Sequence, residues 1–173
     1  EIQFDLCGKI VVATSEEEIP LLNNLYERGI QNGLKNLTLL KEGELKEYEP
    51  HVAGIAGIHV PQTGIVDYVK VCEKYAEVIQ SLGGEIKFNE KVKNILSKDS
   101  NTVITNVGEY ESKLVINCAG LYSDKIARLT EKKLNVKIIP FRGEYYTLTK
   151  EKQSLVKNLI YPVPDPNFPF LGV

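Results

Sequence analysis

Arg142, Glu144 and Tyr146 occupy alternate positions in the run KIIPFRGEYYTLTK at residues 137–150. In a strand, side chains alternate between faces, so these three share one side while Phe141, Gly143 and Tyr145 share the other. A guanidinium beside a phenol makes a carboxylate receptor, with a two-pronged charged contact and one O–H donor. Gly143 would leave room on the opposite face for a packed neighbour or a ligand. The plainer alternative is a surface ion pair between Arg142 and Glu144, two residues apart on one face and of little energetic worth.

A second stretch, KLVINCAGLYSDKIA, runs from an apolar strand over Leu114–Ile116 into the small residues Cys118-Ala119-Gly120, then into a helix from Ser123 to about Thr130, with Ser123 or Asp124 as its cap. Small residues at the carboxyl end of a buried strand let a ligand approach the backbone closely. A helix start offers N–H groups to a phosphate. A tight strand-to-helix turn without a ligand explains the same residues. In GGEIKFNEKVKNI, Lys91-Val92-Lys93 begins a strand whose edge backbone could pair with a flat heterocycle, and a plain strand is again the simpler reading. The two histidines, His51 and His59, lie eight residues apart with no cysteine or carboxylate in register, which is poor metal geometry, so no metal site is expected. Either could serve as a general base. His51 follows Pro50 in a turn, where polar residues are more often functional, whereas His59 alternates with Ile58 and Val60.

The elements that must position these groups follow from periodicity and punctuation. Residues 2–14 read as a strand with Phe4, Leu6, Ile10 and Val12 on one parity and a bend at Gly8. Ser15-Glu16-Glu17-Glu18 is a capping box, followed by helical spacing through Ile19, Leu22, Leu25 and Tyr26 to a stop at Gly33. A short strand and a short helix ending at Glu49-Pro50 come next. Another strand spans 55–61, and a turn then leads to Asp67 as N-cap. A helix from Tyr68 to Leu82 carries Val69, Cys72, Tyr75, Ala76 and Ile79 on one face and closes at Gly83-Gly84. Strands are expected at 85–88, 91–97, 102–107 and 109–117, with a long one over 136–149 and a proline-rich loop at YPVPDPNFP. Helices and strands so mixed predict an α/β (α+β mixed) fold, a mixed sheet with helices on its faces.

Composition sets the outer bounds. The 173 residues suffice to bury a core, and 43% hydrophobic with 25% charged residues is ordinary for a soluble globular protein. A net charge of −2 supplies no basic field to gather nucleic acid, so no nucleic-acid partner is expected. Three widely spaced cysteines give neither a disulfide framework nor a zinc motif and suggest reduced thiols in the cytoplasm. The chain opens in mid-strand and closes on the apolar FPFLGV, which leads us to expect an interior piece of a longer protein.

Taken together, PQTGIVDY at 61–68, VINCAGLYSD at 115–124, IPFRGEYY at 139–146 and LIYPVPDPNFPFLGV at 159–173 resemble the FAD-dependent L-2-hydroxyglutarate oxidase/dehydrogenase family, within the D-amino-acid-oxidase-like flavoproteins. The CAG turn is shared across that superfamily; PFRGEYY and YPVPDPNFPFLGV are far more specific. The resemblance implies the interior of a two-domain flavoprotein, an FAD-binding layer plus an antiparallel substrate-binding sheet. Residues 1–61 and 134–173 would belong to the substrate domain and 62–133 to the FAD-binding domain. Val92 matches the position whose backbone contacts adenine, Ala119 and Gly120 match the turn lining the FAD diphosphate, and Arg142, Tyr145 and Tyr146 border the substrate cavity. His51 is the candidate base. The family's opening strand–GxGxxG–helix and its closing glycine-rich segment are not in this chain. The parent is therefore expected to hold FAD tightly and the piece alone poorly or not at all.

The implied activity is oxidation of a 2-hydroxy dicarboxylate, L-2-hydroxyglutarate, to 2-oxoglutarate. The flavin would do the hard step, and the protein would position and neutralise. No motif identifies the electron acceptor. The resemblance allows peripheral association of the parent with the inner face of a membrane. Rival expectations are a sister flavoenzyme, glycine-oxidase-like or glycerol-3-phosphate-dehydrogenase-like, and a non-catalytic small-molecule-binding module.

Overall fold

The computed structural model describes residues 1–131, 133–165 and 167. They divide into two compact units, one comprising Glu1–Glu77 with the described residues from Thr147 onward, the other Val78–Tyr146. The expected mixture of helices and strands is present in both.

In the first unit the strand read over residues 2–14 is two strands, β1 (Phe4–Asp5) and β2 (Lys9–Ala13). Gly8 separates them with φ of +76°, and a Cβ there would stand 2.9 Å from Asn158 Oδ1 and 3.2 Å from His59 Nε2. The shared parity therefore fails: Ile10 and Val12 are buried while Phe4 and Leu6 are exposed. The capping box forms as read. Glu18 Oε2 accepts the amides of Thr14 at 2.6 Å and Ser15 at 3.3 Å, and a single 3-10 turn leads into α1 (Ile19–Gln31). Gly33, at φ +81°, ends it. Then follow β3 (Thr38–Lys41), α2 (Glu42–Tyr48), β4 (Ala56–Val60) and the short β5 (Ile65–Val66), which pairs antiparallel with β1. Asp67 caps the next helix, α3 (Tyr68–Ser81), by accepting the Val69 amide at 2.9 Å and that of Lys70 at 3.2 Å. The stripe Val69, Cys72, Tyr75 and Ile79 lies at the expected spacing and is exposed.

The second unit contributes an antiparallel meander, β6 (Val92–Ser97), β7 (Asn101–Thr105) and β8 (Glu109–Ser112), followed by the five-residue α4 (Ser123–Ala127). Back in the first unit, β9 (Leu159–Pro162) completes a four-stranded sheet of order β3-β4-β2-β9. β9 runs parallel to β2, and the other pairs are antiparallel.

The two-sided burial of β2 explains why KIVVA is apolar at nearly every position. Val11 and Ala13 pack with Leu22 of α1 and with Ile58, Val60 and Val163. Ile10 and Val12 face the other way, into Leu40 and into Leu45 of α2. Gly57 lets α2 come close, since a Cβ there would meet Leu45 Cδ2 at 2.7 Å and the Val11 carbonyl at 2.9 Å.

Several expected strands are absent. Residues 85–88 and 113–117 join no ladder, and neither do residues 136–149. A strand exists through a ladder of lateral backbone hydrogen bonds, and among the described residues no ladder includes these runs. Leu114 and Ile116 are accordingly 72% and 76% exposed. The proline-rich loop begins two residues later than read, because Tyr161 and Pro162 belong to β9. Its residues 166, 168 and 169, and the rest of the family-specific stretch to 173, lie outside the described residues.

Glu49 links the two ends of the first unit. It is 1% exposed. Its Oε1 accepts the Lys157 amide at 2.8 Å, the Asn158 amide, and Asn158 Nδ2 at 2.9 Å, while Oε2 has no partner. The residue after α2 thereby seats the segment that enters β9. Glu49→Ala should cost about 2–4 kcal/mol in urea unfolding, because buried N–H groups lose their acceptor. Glu49→Gln, which keeps one carbonyl oxygen, should cost less. Equal losses in the two variants would show that the accepted N–H groups are not what holds this residue in place.

Candidate functional site

A hollow within the second unit has a volume of about 870 Å³. Three pieces of chain build it. The turn before β6 gives Asn89–Val92, the sheet interior gives Ile95 and Val103, and the stretch Val115–Ala119 with the helix beyond it closes the far side. β6 is an edge strand among the described residues, so the backbone at its start is paired on one side only. Val92 pairs with Thr105, and the register shifts between Val92 and Asn94, a bulge that re-aims the strand's first residues.

The opposite wall depends on a residue that the motif reading passed over. Asn117 Oδ1 accepts the Ala119 amide at 3.2 Å, and its Nδ2 donates to the Ser123 carbonyl at 2.8 Å. One side chain thus ties the strand-end residues to the start of α4. Asparagine at the head of a small-residue turn is the signal that was available, since its amide mimics a backbone turn. Gly120 takes φ of +54°, and nothing lies within 4 Å of where its Cβ would stand. The Lys125 ammonium sits 4.7 Å from the centre of the Tyr122 ring, so a cation is held at the hollow's rim. On the other side Glu90 accepts the Tyr110 hydroxyl at 2.7 Å and that of Thr105 at 3.2 Å. That hydrogen bond raises the Tyr110 pKa above the usual phenol value.

Asp124 is not the helix cap. Tyr122 holds the N-cap position with no side-chain cap, and Asp124 is buried. Burial by itself would raise its pKa. The Arg128 guanidinium at 3.0 Å and the Ile138 amide at 3.4 Å outweigh burial and hold the carboxyl below its ordinary value. Arg128 also donates to the Val136 carbonyl at 3.2 Å, so the pair ties residues 136–138 to α4.

Of the residues picked out from sequence, Val92 and Ala119 line this one hollow, and Gly120 follows Ala119 in its turn. Arg142 does not line it. Its side chain is 85% exposed and pairs with Glu144 at 3.0 Å, the surface ion pair that was the plainer alternative. Tyr145 and Tyr146 are fully solvated, at 92% and 101% exposure. His51 lies in the first unit, exposed, in the turn after α2. His59 lies in β4 with its ring 4.5 Å from that of Tyr48, and burial pushes its pKa below the usual histidine value. Among the described residues no cluster of histidine, cysteine or carboxylate could hold a metal ion, and no helix is long and apolar enough to cross a membrane.

Comparison with known proteins adds the following. The family described as FAD dependent oxidoreductase matches residues 1–173. L-2-hydroxyglutarate dehydrogenase from Indibacter alkaliphilus is 59% identical over 174 residues, covering 99% of this chain and 44% of that protein. The mitochondrial L-2-hydroxyglutarate dehydrogenase of Homo sapiens is 44% identical over 185 residues, covering 99% and 40%. The chain thus spans less than half the length of these relatives. Among solved structures, L-proline dehydrogenase from P. horikoshii superposes with a TM-score of 0.73 at 18% identity, covering 93% of this chain and 44% of that one. L-alpha-glycerophosphate oxidase from Mycoplasma pneumoniae, solved with FAD bound, gives 0.72 at 24% identity, covering 91% and 43%. At these identities the structural likeness speaks for the fold.

The Asp124–Arg128 pair gives a pH prediction with a definite sign. A carboxyl whose folded pKa is depressed adds stability above its ordinary value near 3.8 and loses it as pH falls through the folded pKa. Arg128→Gln should therefore move the acid-unfolding midpoint, followed by circular dichroism between about pH 6 and pH 2, to higher pH. An unchanged midpoint would mean that the pair does not tie residues 136–138 to α4 in solution.

Proposed function

This chain belongs to the FAD-dependent oxidoreductase family, and from that premise we propose that the protein containing it oxidises L-2-hydroxyglutarate to 2-oxoglutarate. The observation that carries the reading is the 59% identity, over 99% of the chain, to a protein named L-2-hydroxyglutarate dehydrogenase.

The hollow of the second unit suits the adenosine end of FAD. It is large enough for an adenine and ribose, with a half-paired strand edge at Val92 and a turn at Ala119-Gly120 that carries no bulk where a diphosphate would approach. In this reading the Val92 backbone meets the adenine and the Ala119-Gly120 turn lies against the diphosphate. FAD, when bound, supplies a two-electron acceptor for the hydrogen that leaves C2 of the substrate. The remaining work falls to side chains. Arg142 exchanges Glu144 for a substrate carboxylate in a two-pronged contact, Tyr145 and Tyr146 add O–H donors, and His51 takes the proton of the C2 hydroxyl. A reducing compartment such as the cytoplasm belongs to the same reading and is supported by the free thiols of Cys7, Cys72 and Cys118.

Full-length protein should purify yellow and convert L-2-hydroxyglutarate to 2-oxoglutarate; colourless protein without that activity would end the reading. Arg142→Ala should raise KM about tenfold or more while changing kcat less, and His51→Gln should lower kcat by about 10²-fold. An unchanged KM or kcat would remove the corresponding residue from the site. Gly120→Val forces a branched side chain to φ +54° at the proposed diphosphate turn, so the variant should lose flavin on dialysis while keeping its circular dichroism spectrum.

A further inference from the structure

A second hollow, of about 260 Å³, lies within the first unit between the carboxyl half of α1 and the sheet. Its floor is apolar, formed by Val11, Ile58 and Val60 of the sheet and by Leu25 and Leu37. Its rim carries two cations, Lys9 and Arg28, and no carboxylate lines it. Among the described residues neither cation makes an ion pair.

The geometry is maintained by contacts that leave both cations without a counter-ion among the described residues. Lys9 lies in β2 opposite Val60, and its ammonium stands 5.3 Å from the centre of the Tyr161 ring, which holds the amine on the α1 side of the sheet. Gln62 Oε1 accepts the Lys35 amide at 2.5 Å, fixing the loop after α1 to the end of β4. Gly29 lets Leu37 pack directly on α1: a Cβ there would come within 2.6 Å of Leu37 Cδ1.

We infer that this hollow is a binding site for a small monocarboxylate with a short alkyl chain, distinct from the cofactor hollow of the second unit. The guanidinium fork of Arg28 suits the two oxygens of a carboxylate, with Lys9 as a second positive charge. The apolar floor suits the chain. At about 30 Å³ per water volume the space equals roughly nine waters, which fits a ligand of about eight non-hydrogen atoms. The inference rests on the first unit alone and is independent of the function proposed above.

The test uses the full-length protein, with hexanoate as probe and hexanol and acetate as controls. Isothermal calorimetry should give a Kd of about 1 mM for hexanoate, and both controls should bind about tenfold more weakly. Arg28→Gln and Lys9→Gln should each weaken hexanoate about tenfold without altering the melting temperature. Methyl resonances of Leu25, Leu37 and Val60 should shift on titration. Absence of saturable binding up to about 10 mM overturns the inference, as does hexanol binding as tightly as hexanoate. Arg142→Ala serves to separate the two sites. Should it abolish hexanoate binding while Arg28→Gln leaves it unchanged, the probe sits in the proposed substrate site and the inference falls. That result would leave the oxidase reading standing.

Discussion

One buried carboxylate holds the first unit together. Glu49 comes directly after α2, yet its Oε1 receives N–H groups from Lys157 and Asn158, 108 and 109 residues further along the chain. Closing a loop of that length costs on the order of 4 kcal/mol in chain entropy. Hydrogen bonds to a charged acceptor contribute roughly 1.5–3 kcal/mol each, so the clasp is of the size needed to offset the closure. Its geometry also sets the direction of β9. With Asn158 anchored beside Gly8, the chain has to run parallel to β2, pairing Leu159 with Lys9 and Tyr161 with Val11. The placement of Lys9 over Tyr161, and with it the rim of the cationic hollow, follows from that register.

The second unit is organised differently. Among the described residues its sheet is a meander of local hairpins, and the wall opposite is a turn kept in shape by Asn117. Its apolar residues are largely uncovered, Leu114, Ile116 and Phe88 among them. The hollow owes its form to short-range hydrogen bonds more than to a packed core. Side chains such as Asn117, Glu90 and the Asp124–Arg128 pair therefore carry more of its shape than any hydrophobic contact does.

Much of the secondary structure was legible in advance because its causes are local. The Ser15–Glu18 capping box, the stop at Gly33, Asp67 as a cap and the glycine pair after α3 are each decided by a few neighbouring dihedrals and hydrogen bonds. The runs 113–117 and 136–149 misled because apolar content marks a segment able to be a strand, whereas being one requires a partner edge. The candidate site divided in the same way. Val92 and Ala119, taken from motif, do line one hollow, while the face shared by Arg142, Glu144 and Tyr146 presupposed a strand that the described residues do not form.

By itself, then, the sequence determined the α/β mixture, the Ser15–Glu18 capping box, the Asp67 cap, the helix stops at Gly33 and Gly83, and the family to which the motifs belong. Each of these is set by residues within a few positions of one another or by residue identity alone. Tertiary structure decided that Glu49 is a buried acceptor, that Asp124 accepts the Ile138 amide instead of capping a helix, that β9 joins β2 in parallel, and that Lys9 and Arg28 line one hollow. Those outcomes depend on which distant segments meet. A carboxylate acquires its role from the donors and the dielectric around it, and neither is written in the residues beside it in the chain.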